Sequence, residues 1–166
     1  MIFVCFLLQT TIWNLFPLGS VKPNLLLILT VSMGLMRGKH TGLLVGFISG
    51  LIIDLFFGTL FGFNALVYMY IGYITGNFYK VFFDEDIKIP MIFVAVSELA
   101  YNLIFYVVQF AFRKRFDFGT YFTRIILPEL LYTVIFTIVL YKLFYIINKK
   151  LTANELEDND SPWLLK

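Results

Sequence analysis

The 166-residue chain is 60% hydrophobic and 14% charged, carries a formal net charge of +2 and has a mean hydropathy of +0.83. So few charged side chains cannot cover the surface of a soluble domain, and the composition therefore indicates an integral membrane protein. The single Cys5 excludes an intramolecular disulfide, and one histidine with one distant cysteine makes no metal-binding cluster.

The apolar segments, taken in chain order, predict an all-α membrane protein with a bundle of about six transmembrane helices. The first lacks a basic region and a small-residue cleavage site, which indicates a retained helix rather than a signal peptide. The second rises only about 18 Å, against roughly 30 Å of hydrocarbon. It could start inside the preceding loop, tilt or re-enter, and Pro23 suits its first turn. The segments are residues 2–16, 25–36, 41–57, 61–79, 89–112 and 122–147.

Small residues recur every four positions along the third segment, "GLLVGFISGLIIDLFFG". Residues four apart lie on one face of a helix, so this spacing predicts a shallow groove into which another helix packs closely. Glycine is a poor helix former in water, which makes the pattern most sensible in lipid. The residues in this count are Gly38, Gly42, Gly46, Gly50, Asp54, Gly58 and Gly62.

Asp54 places a carboxylate in this apolar segment, at a cost of about 2.5–3.5 kcal/mol for a charge at the helix centre. One explanation is that the side chain reaches the membrane interface, because it lies about one turn from the helix end. The other is a protein partner, since the residue continues the glycine count. Candidate partners are Asn64, Tyr68, Asn102 or a polar group from another chain.

Two further acids lie in apolar surroundings, in the fifth and sixth segments. Glu98 is near mid-helix, which favours burial against a partner or protonation over lipid exposure. Glu129 directly follows Pro128, which frees a backbone carbonyl one turn earlier and predicts a kink in the sixth helix. Beyond these segments, residues 149–166 are polar and mostly acidic, and we expect a disordered cytoplasmic tail. Residues 1–148 then form one transmembrane domain.

The basic residues of the loops decide the orientation only weakly. With six spans and a cytoplasmic N-terminus, six Lys and Arg lie inside and five outside. With five spans and an external N-terminus, the split becomes seven against four. Both arrangements place the C-terminus in the cytoplasm.

The residues do not assemble an active site by spacing alone. An intramembrane aspartyl protease needs two carboxylates sharing a proton, and Asp54 with Glu98 or Glu129 would form a pair only through packing. His40 lies in a basic break at a membrane edge, where a solvated role is favoured. Phosphate loops and nucleic-acid-binding patterns are absent from the sequence. We therefore expect no enzyme activity, no cofactor and no nucleic-acid partner.

The order of these motifs resembles the bacterial rod-shape-determining MreD family over nearly the whole chain up to residue 148. The segments that carry the resemblance are "LQTTIWNLFPLGSVKPNLLLIL", the glycine-rich third segment with the following "GFNALVYMYIGYITG", and "LPELLYTVIF". Two residues depart from the family pattern: Asn24 stands where the family often has Asp, and Thr133 where it often has Asn. The matching residues include Asp54, Gly58, Gly62, Gly72, Pro23 and Pro128.

The resemblance implies a non-enzymatic scaffold subunit of the machinery that synthesises lateral peptidoglycan. Such a subunit sits in the cytoplasmic membrane and pairs with MreC, a one-span protein. MreC in turn links it to a wall-synthesising polymerase and transpeptidase, and MreB, an actin homologue, forms filaments on the cytoplasmic face. The family's architecture is likened to the six-helix substrate-binding component of ECF transporters, with both termini cytoplasmic.

The alternative function is a small-molecule-binding subunit of an ECF-type transporter, since 20 Phe and 10 Tyr could line a pocket. Aromatic residues at this abundance more often serve packing and lipid contact. The residues predicted for helix packing or partner binding are Gly42, Gly46, Gly50, Asp54, Gly58, Gly62, Pro23, Asn24, Gly72, Pro128 and Glu129.

Overall fold

The computed structural model describes residues 1–15, 23–57, 61–81, 88–112, 119 and 122–159, and these form six α-helices and no strands. The predicted all-α architecture is confirmed, whereas Gly58 lies outside the described residues. A 3-10 turn, Phe78–Val81, follows the fourth helix, and a π-helical turn, Phe122–Ile126, precedes the sixth. The helices are α1 (Ile2–Leu15), α2 (Leu25–Arg37), α3 (Lys39–Phe57), α4 (Phe63–Asn77), α5 (Lys88–Phe112) and α6 (Leu127–Asn159).

Three helical stretches in the described part of the chain are long and apolar enough to cross a membrane. The shortest of the three has 19 residues and therefore rises about 28 Å, close to the thickness of the hydrocarbon layer. The apolar stretches of α1 and α2 are shorter. The chain is a multi-pass membrane protein. The three stretches are Lys39–Phe57, Lys88–Val108 and Phe122–Thr152.

The short α2 is the centre of the bundle. Every residue from Leu25 to Leu35 is buried, and α2 contacts all five other helices. A helix that is apolar on all sides is stable when protein covers it on all sides. Its length need not match the bilayer, because neighbouring helices rather than lipid surround it. This central position explains the twelve-residue apolar segment that is too short to span.

The beginning of α2 lies inside the bundle rather than at its rim. Gly42 lies against Gly34 and Gly46 lies against Thr30, so α3 runs antiparallel to α2. The same register brings Gly50 level with the start of α2. From there α3 continues for seven more residues, a rise of roughly 10 Å. The N-terminus of α2 is therefore surrounded by the other helices at depth.

Two members of the four-residue count that the structure describes lie outside α3. Gly38 follows the last residue of α2 with φ +88°, and Gly62 precedes α4 with φ +91°. Positive φ favours glycine because it has no Cβ, so these residues allow the chain to turn between helices. The prediction of one continuous face from Gly38 to Gly62 is wrong at both ends. The four-residue spacing of the sequence thus continues through the turns on either side of α3, where the helix itself does not.

The sixth helix extends further than the sequence predicted. Residues 149–159 are helical, where we expected a disordered tail, and residues 160–166 lie outside the described part of the chain. Extending an existing helix adds a hydrogen bond per residue without the cost of nucleation. The segment "LTANELE" also supplies Leu, Ala and Glu, which favour helix.

We expect a reporter fused to the N-terminus to lie in the cytoplasm. The C-terminal end of α2 lies beside α6, since Arg37 Nε donates to Asn148 Oδ1 at 2.6 Å. Lys39, Lys149 and Lys150 follow in sequence at the same end of the bundle, which the positive-inside rule assigns to the cytoplasm. In the predicted six-span arrangement the N-terminus lies on that side as well.

A reporter placed after Lys150 is the control for insertion, because it is cytoplasmic in either arrangement. The six-span arrangement would be contradicted if the N-terminus were external while the reporter at residue 150 was cytoplasmic. That result would favour the five-span alternative.

Candidate functional site

The glycine ridge, defined as Gly42, Gly46 and Gly50 of α3, lies directly against the backbone of α4. A Cβ atom added to any of the three would overlap a carbonyl oxygen of α4, so the two helix backbones are in contact. In a membrane, where lipid is as apolar as leucine, such close packing is a main source of helix association. The facing pairs are Gly42 with Gly72, Gly46 with Tyr68, and Gly50 with Asn64.

Glycines on the neighbouring helices complete this contact. A Cβ on Gly72 would overlap the Gly42 carbonyl, and one on Gly34 of α2 would lie 2.6 Å from Thr75 Oγ1. Small residues therefore lie on both sides of the α3–α4 contact and on the adjoining face of α2. Three helix backbones meet where no side chain larger than hydrogen fits.

Asp54 is buried at the end of α3 and binds the beginning of α4. Its Oδ1 accepts hydrogen bonds from Asn64 N at 3.1 Å and Asn64 Nδ2 at 2.9 Å, and its Oδ2 accepts one from Ala65 N at 2.9 Å. The residue at the N-cap position of α4 is Gly62, which has no side chain to cap the helix. Asp54 therefore acts as the capping acid from a different helix, where its charge meets the positive end of the α4 dipole.

Asn64 links this capping site to α5. Its Oδ1 accepts a hydrogen bond from Tyr101 OH at 2.9 Å. The ring of Tyr101 also packs edge-on against Tyr68, with 5.5 Å between ring centroids. Of the partners considered for Asp54, the structure brings Asn64 into direct contact and connects Tyr68 through this aromatic pair. Tyr101 was not predicted, because an amphipathic tyrosine in an apolar helix gives no signal of its own.

Asn24 caps the buried start of α2. Its Oδ1 accepts from Leu27 N at 3.3 Å and from Tyr68 OH at 2.6 Å, while its backbone N–H donates to Thr133 Oγ1 at 3.3 Å. A helix N-terminus leaves unpaired N–H groups, which must find acceptors when the end is buried. Asn24 thus joins α2 to α4 and α6, and Pro23 stands partly buried beside it.

A second acceptor for the start of α2 comes from α1. Gln9 Oε1 accepts from Leu26 N at 3.4 Å. Gln9 and Thr133 were among the residues compared with the MreD family, yet neither was predicted as a site residue. Each of the two is a lone polar side chain within an apolar segment, and this was the feature of the sequence that could have indicated a site residue.

The two remaining acids meet on the other side of Asn24. Glu98 of α5 is fully buried, and its Oε1 accepts from Asn102 Nδ2 at 3.4 Å. The carboxyl group of Glu129, on α6, lies within hydrogen-bonding reach of both Glu98 and Asn102. Asp54 is not part of this acid pair, because its oxygens are occupied by α4. The sequence analysis considered Asp54 with either glutamate, whereas the structure brings the two glutamates together.

Pro128 lies in the first turn of α6, directly after the π-helical turn. Proline lacks an N–H and so removes one hydrogen bond from the helix before it. A single π-helical turn is one of the local changes by which a helix tolerates a disturbed hydrogen-bond ladder. The helix therefore changes its hydrogen-bonding pattern directly before Pro128, and the predicted kink of the sixth helix stays a prediction.

The site is therefore one polar network of buried and half-buried side chains beside a glycine-lined helix contact. The described residues contain no group of three His, Cys, Asp or Glu side chains that could hold a metal ion. The amide, hydroxyl and carboxyl groups instead bind one another across helices. The network comprises Asn24, Asp54, Asn64, Tyr68, Glu98, Tyr101, Asn102, Glu129 and Thr133.

Comparison with known proteins identifies one similar family. The model of the family described as rod shape-determining protein MreD matches residues 1–151. The match covers α1 to α5 entirely and most of α6. No curated protein and no solved structure matches the chain. The likeness to the ECF substrate-binding component stays a prediction.

Proposed function

The chain belongs to the MreD family of rod shape-determining membrane proteins, and from this premise we propose that it is a scaffold subunit of the cell-elongation machinery in the bacterial cytoplasmic membrane. A role in rod shape determination follows from the family. The proposal adds that the chain pairs with an MreC-like one-span protein and thereby supports lateral peptidoglycan synthesis. MreB-like filaments and the wall-synthesising polymerase and transpeptidase join through the complex.

The observation that carries the proposal is the use of the buried polar groups. Asp54 caps α4, Asn64 links α4 to α5, and Asn24 joins α2 to α4 and α6. Interhelical hydrogen bonds and glycine contacts of this kind hold helices in one arrangement. A rigid bundle presents the same lipid-facing surface to a partner helix each time, which is the property that a membrane scaffold needs.

The same contacts support a structural rather than a catalytic role. Both oxygens of Asp54 accept N–H groups of α4, so this carboxylate has no free position for a substrate. Glu98 is fully buried and exposes no carboxylate surface to a substrate. The family is one of shape-determining membrane proteins rather than enzymes. We propose that this member likewise has no enzymatic activity.

The aromatic residues support the scaffold over the transporter alternative. The rings of Tyr101 and Phe105 stack at 6.0 Å between centroids, and Phe63 packs against Phe105 at 6.3 Å. Rings that pack on one another fill the space between α4 and α5 instead of lining an open pocket.

Affinity purification of the tagged full chain from native membranes in mild detergent tests the proposal. We expect recovery of a one-span membrane protein with an extracytoplasmic coiled coil, and loss of rod shape when the chain is depleted. Wild-type chain supplied in trans should restore both the complex and the shape, whereas an unrelated tagged multi-pass protein should recover neither. Recovery of an ATPase pair with a membrane coupling subunit would instead establish the transporter alternative.

A further inference from the structure

One oxygen of the network has no partner. Glu98 is 0% exposed in the middle of α5, and its Oε2 makes no hydrogen bond within the described part of the chain. The other oxygen, Oε1, accepts from Asn102 Nδ2 at 3.4 Å. A buried acceptor left unsatisfied costs about 1–3 kcal/mol, and more when the group is charged. Glu98 Oε2 therefore needs a hydrogen-bond donor, and no N–H or O–H group of the described side chains bonds to it.

One of the groups that reach Glu98 from another helix is itself an acid. The carboxyl group of Glu129 lies within hydrogen-bonding reach of Glu98, across the contact between α5 and α6. Ionised carboxylates only accept hydrogen bonds, so two of them cannot bond to each other. A single proton on either one converts the contact into an O–H···O bond and removes one of two adjacent negative charges.

No cation among the described residues balances this pair. The titratable group that faces it from α4 is Tyr68, whose hydroxyl donates to Asn24 Oδ1. α2 contributes Asn24 and α6 contributes Thr133, which are neutral as well. Two like charges in contact are strongly disfavoured where the dielectric is low. The surroundings stabilise at most one negative charge.

The donors around the pair favour a proton over a metal ion. Asn24 Oδ1 is occupied by Leu27 N and Tyr68 OH, which leaves its Nδ2 to face Glu98. Asn102 likewise turns its Nδ2 toward the acid. N–H groups and the positive end of α2 repel a metal cation but stabilise a carboxylate that shares a proton.

We propose that Glu98 and Glu129 share one bound proton and form an intramembrane proton-binding site that holds α5 against α6 beside the buried start of α2. The proton satisfies Glu98 Oε2 and leaves one negative charge, which the amides of Asn24 and Asn102 stabilise. Removing the proton places two charges in contact, so α5 and α6 should separate at this level.

Infrared spectroscopy of the purified full chain at neutral pH tests the site. The wild-type protein should show the C=O stretching band of a protonated carboxyl, with a shift on exchange into D2O. Glu98→Gln should remove the band, because the new amide donates an N–H to Glu129 and leaves that carboxylate ionised. Thr152→Val is the control and should keep the band, because Thr152 is exposed and its hydroxyl donates only to the Asn148 carbonyl of its own helix.

Labelling with dicyclohexylcarbodiimide locates the proton. This reagent takes the acid proton onto a nitrogen while the carboxylate adds to its central carbon, so only a protonated carboxyl reacts. We expect modification at Glu98 or Glu129, decreasing as the pH rises. Glu129→Gln should abolish the modification of Glu98.

Three results would overturn the proposal. One is a wild-type infrared spectrum without the protonated band, and another is a band that persists in Glu98→Gln and Glu129→Gln alike. The third is protection from the carbodiimide by sodium or lithium at constant pH, which would assign the site to an alkali cation. The wild-type spectrum is decisive even where a variant fails to fold.

Discussion

Replacing Gly46 by leucine is expected to leave membrane insertion intact and to abolish recovery of the partner complex. A Cβ at this position already overlaps the Tyr68 carbonyl and comes within 3.0 Å of Thr30 Cγ2, so a leucine must push α3 away from both α4 and α2. Overpacking typically costs about 1–3 kcal/mol. Because α3 must move away from both α4 and α2, we expect the loss of stability to reach or exceed the upper end of that range.

The measurements for this prediction are the abundance of the chain in membranes, its thermal unfolding in detergent and the yield of complex after affinity purification. Gly46→Ala should show a smaller loss in the same direction. Gly119→Leu is the matched control, because no atom lies within 4 Å of a Cβ at that exposed glycine. Wild-type recovery of the complex from Gly46→Leu would show that the glycine ridge is not a required contact.

Replacing Asp54 is the second change with a large expected effect, and leucine should be worse than asparagine. Leucine removes the acceptors of the backbone N–H groups of Asn64 and Ala65, at a cost of about 1–3 kcal/mol for each buried donor. It also removes the charge at the start of α4. Leucine makes α3 easier to insert, so the defect should appear in folding and assembly and not in insertion.

Asparagine at position 54 keeps one acceptor oxygen and replaces the other with an NH2 group. Because Oδ1 and Oδ2 both accept backbone N–H groups in the wild type, the new NH2 must face one of these donors. We therefore expect an intermediate loss of thermal stability and of rod shape in cells. Leu55→Ala is the control, since Leu55 is the exposed neighbour on α3. Normal shape and intact complexes with Asp54→Leu would mean that an acid at this helix end is merely close to the headgroups.

The sequence by itself determined that the protein folds in a lipid bilayer and that its fold is all-α. Lipid demands helices with internally satisfied backbones, so long apolar segments and the four-residue glycine spacing carry that information locally. The spacing of Gly42, Gly46 and Gly50 predicted a face for close packing because these residues share one uninterrupted helix. The same count extended to Gly38 and Gly62 was misleading, since a period does not record where a helix ends.

The tertiary structure alone decided which helix is central and which polar groups meet. The length of α2 indicated only a poor span, and its burial depends on five other helices that surround it. Asp54 and Asn64 are ten residues apart, and a short hairpin made their contact foreseeable. Asn24 and Thr133 are 109 residues apart, and Glu98 meets Glu129 across two separate helices. Such pairings depend on the relative rotation and depth of packed helices, which arise from the sum of many weak contacts and from no single stretch of sequence.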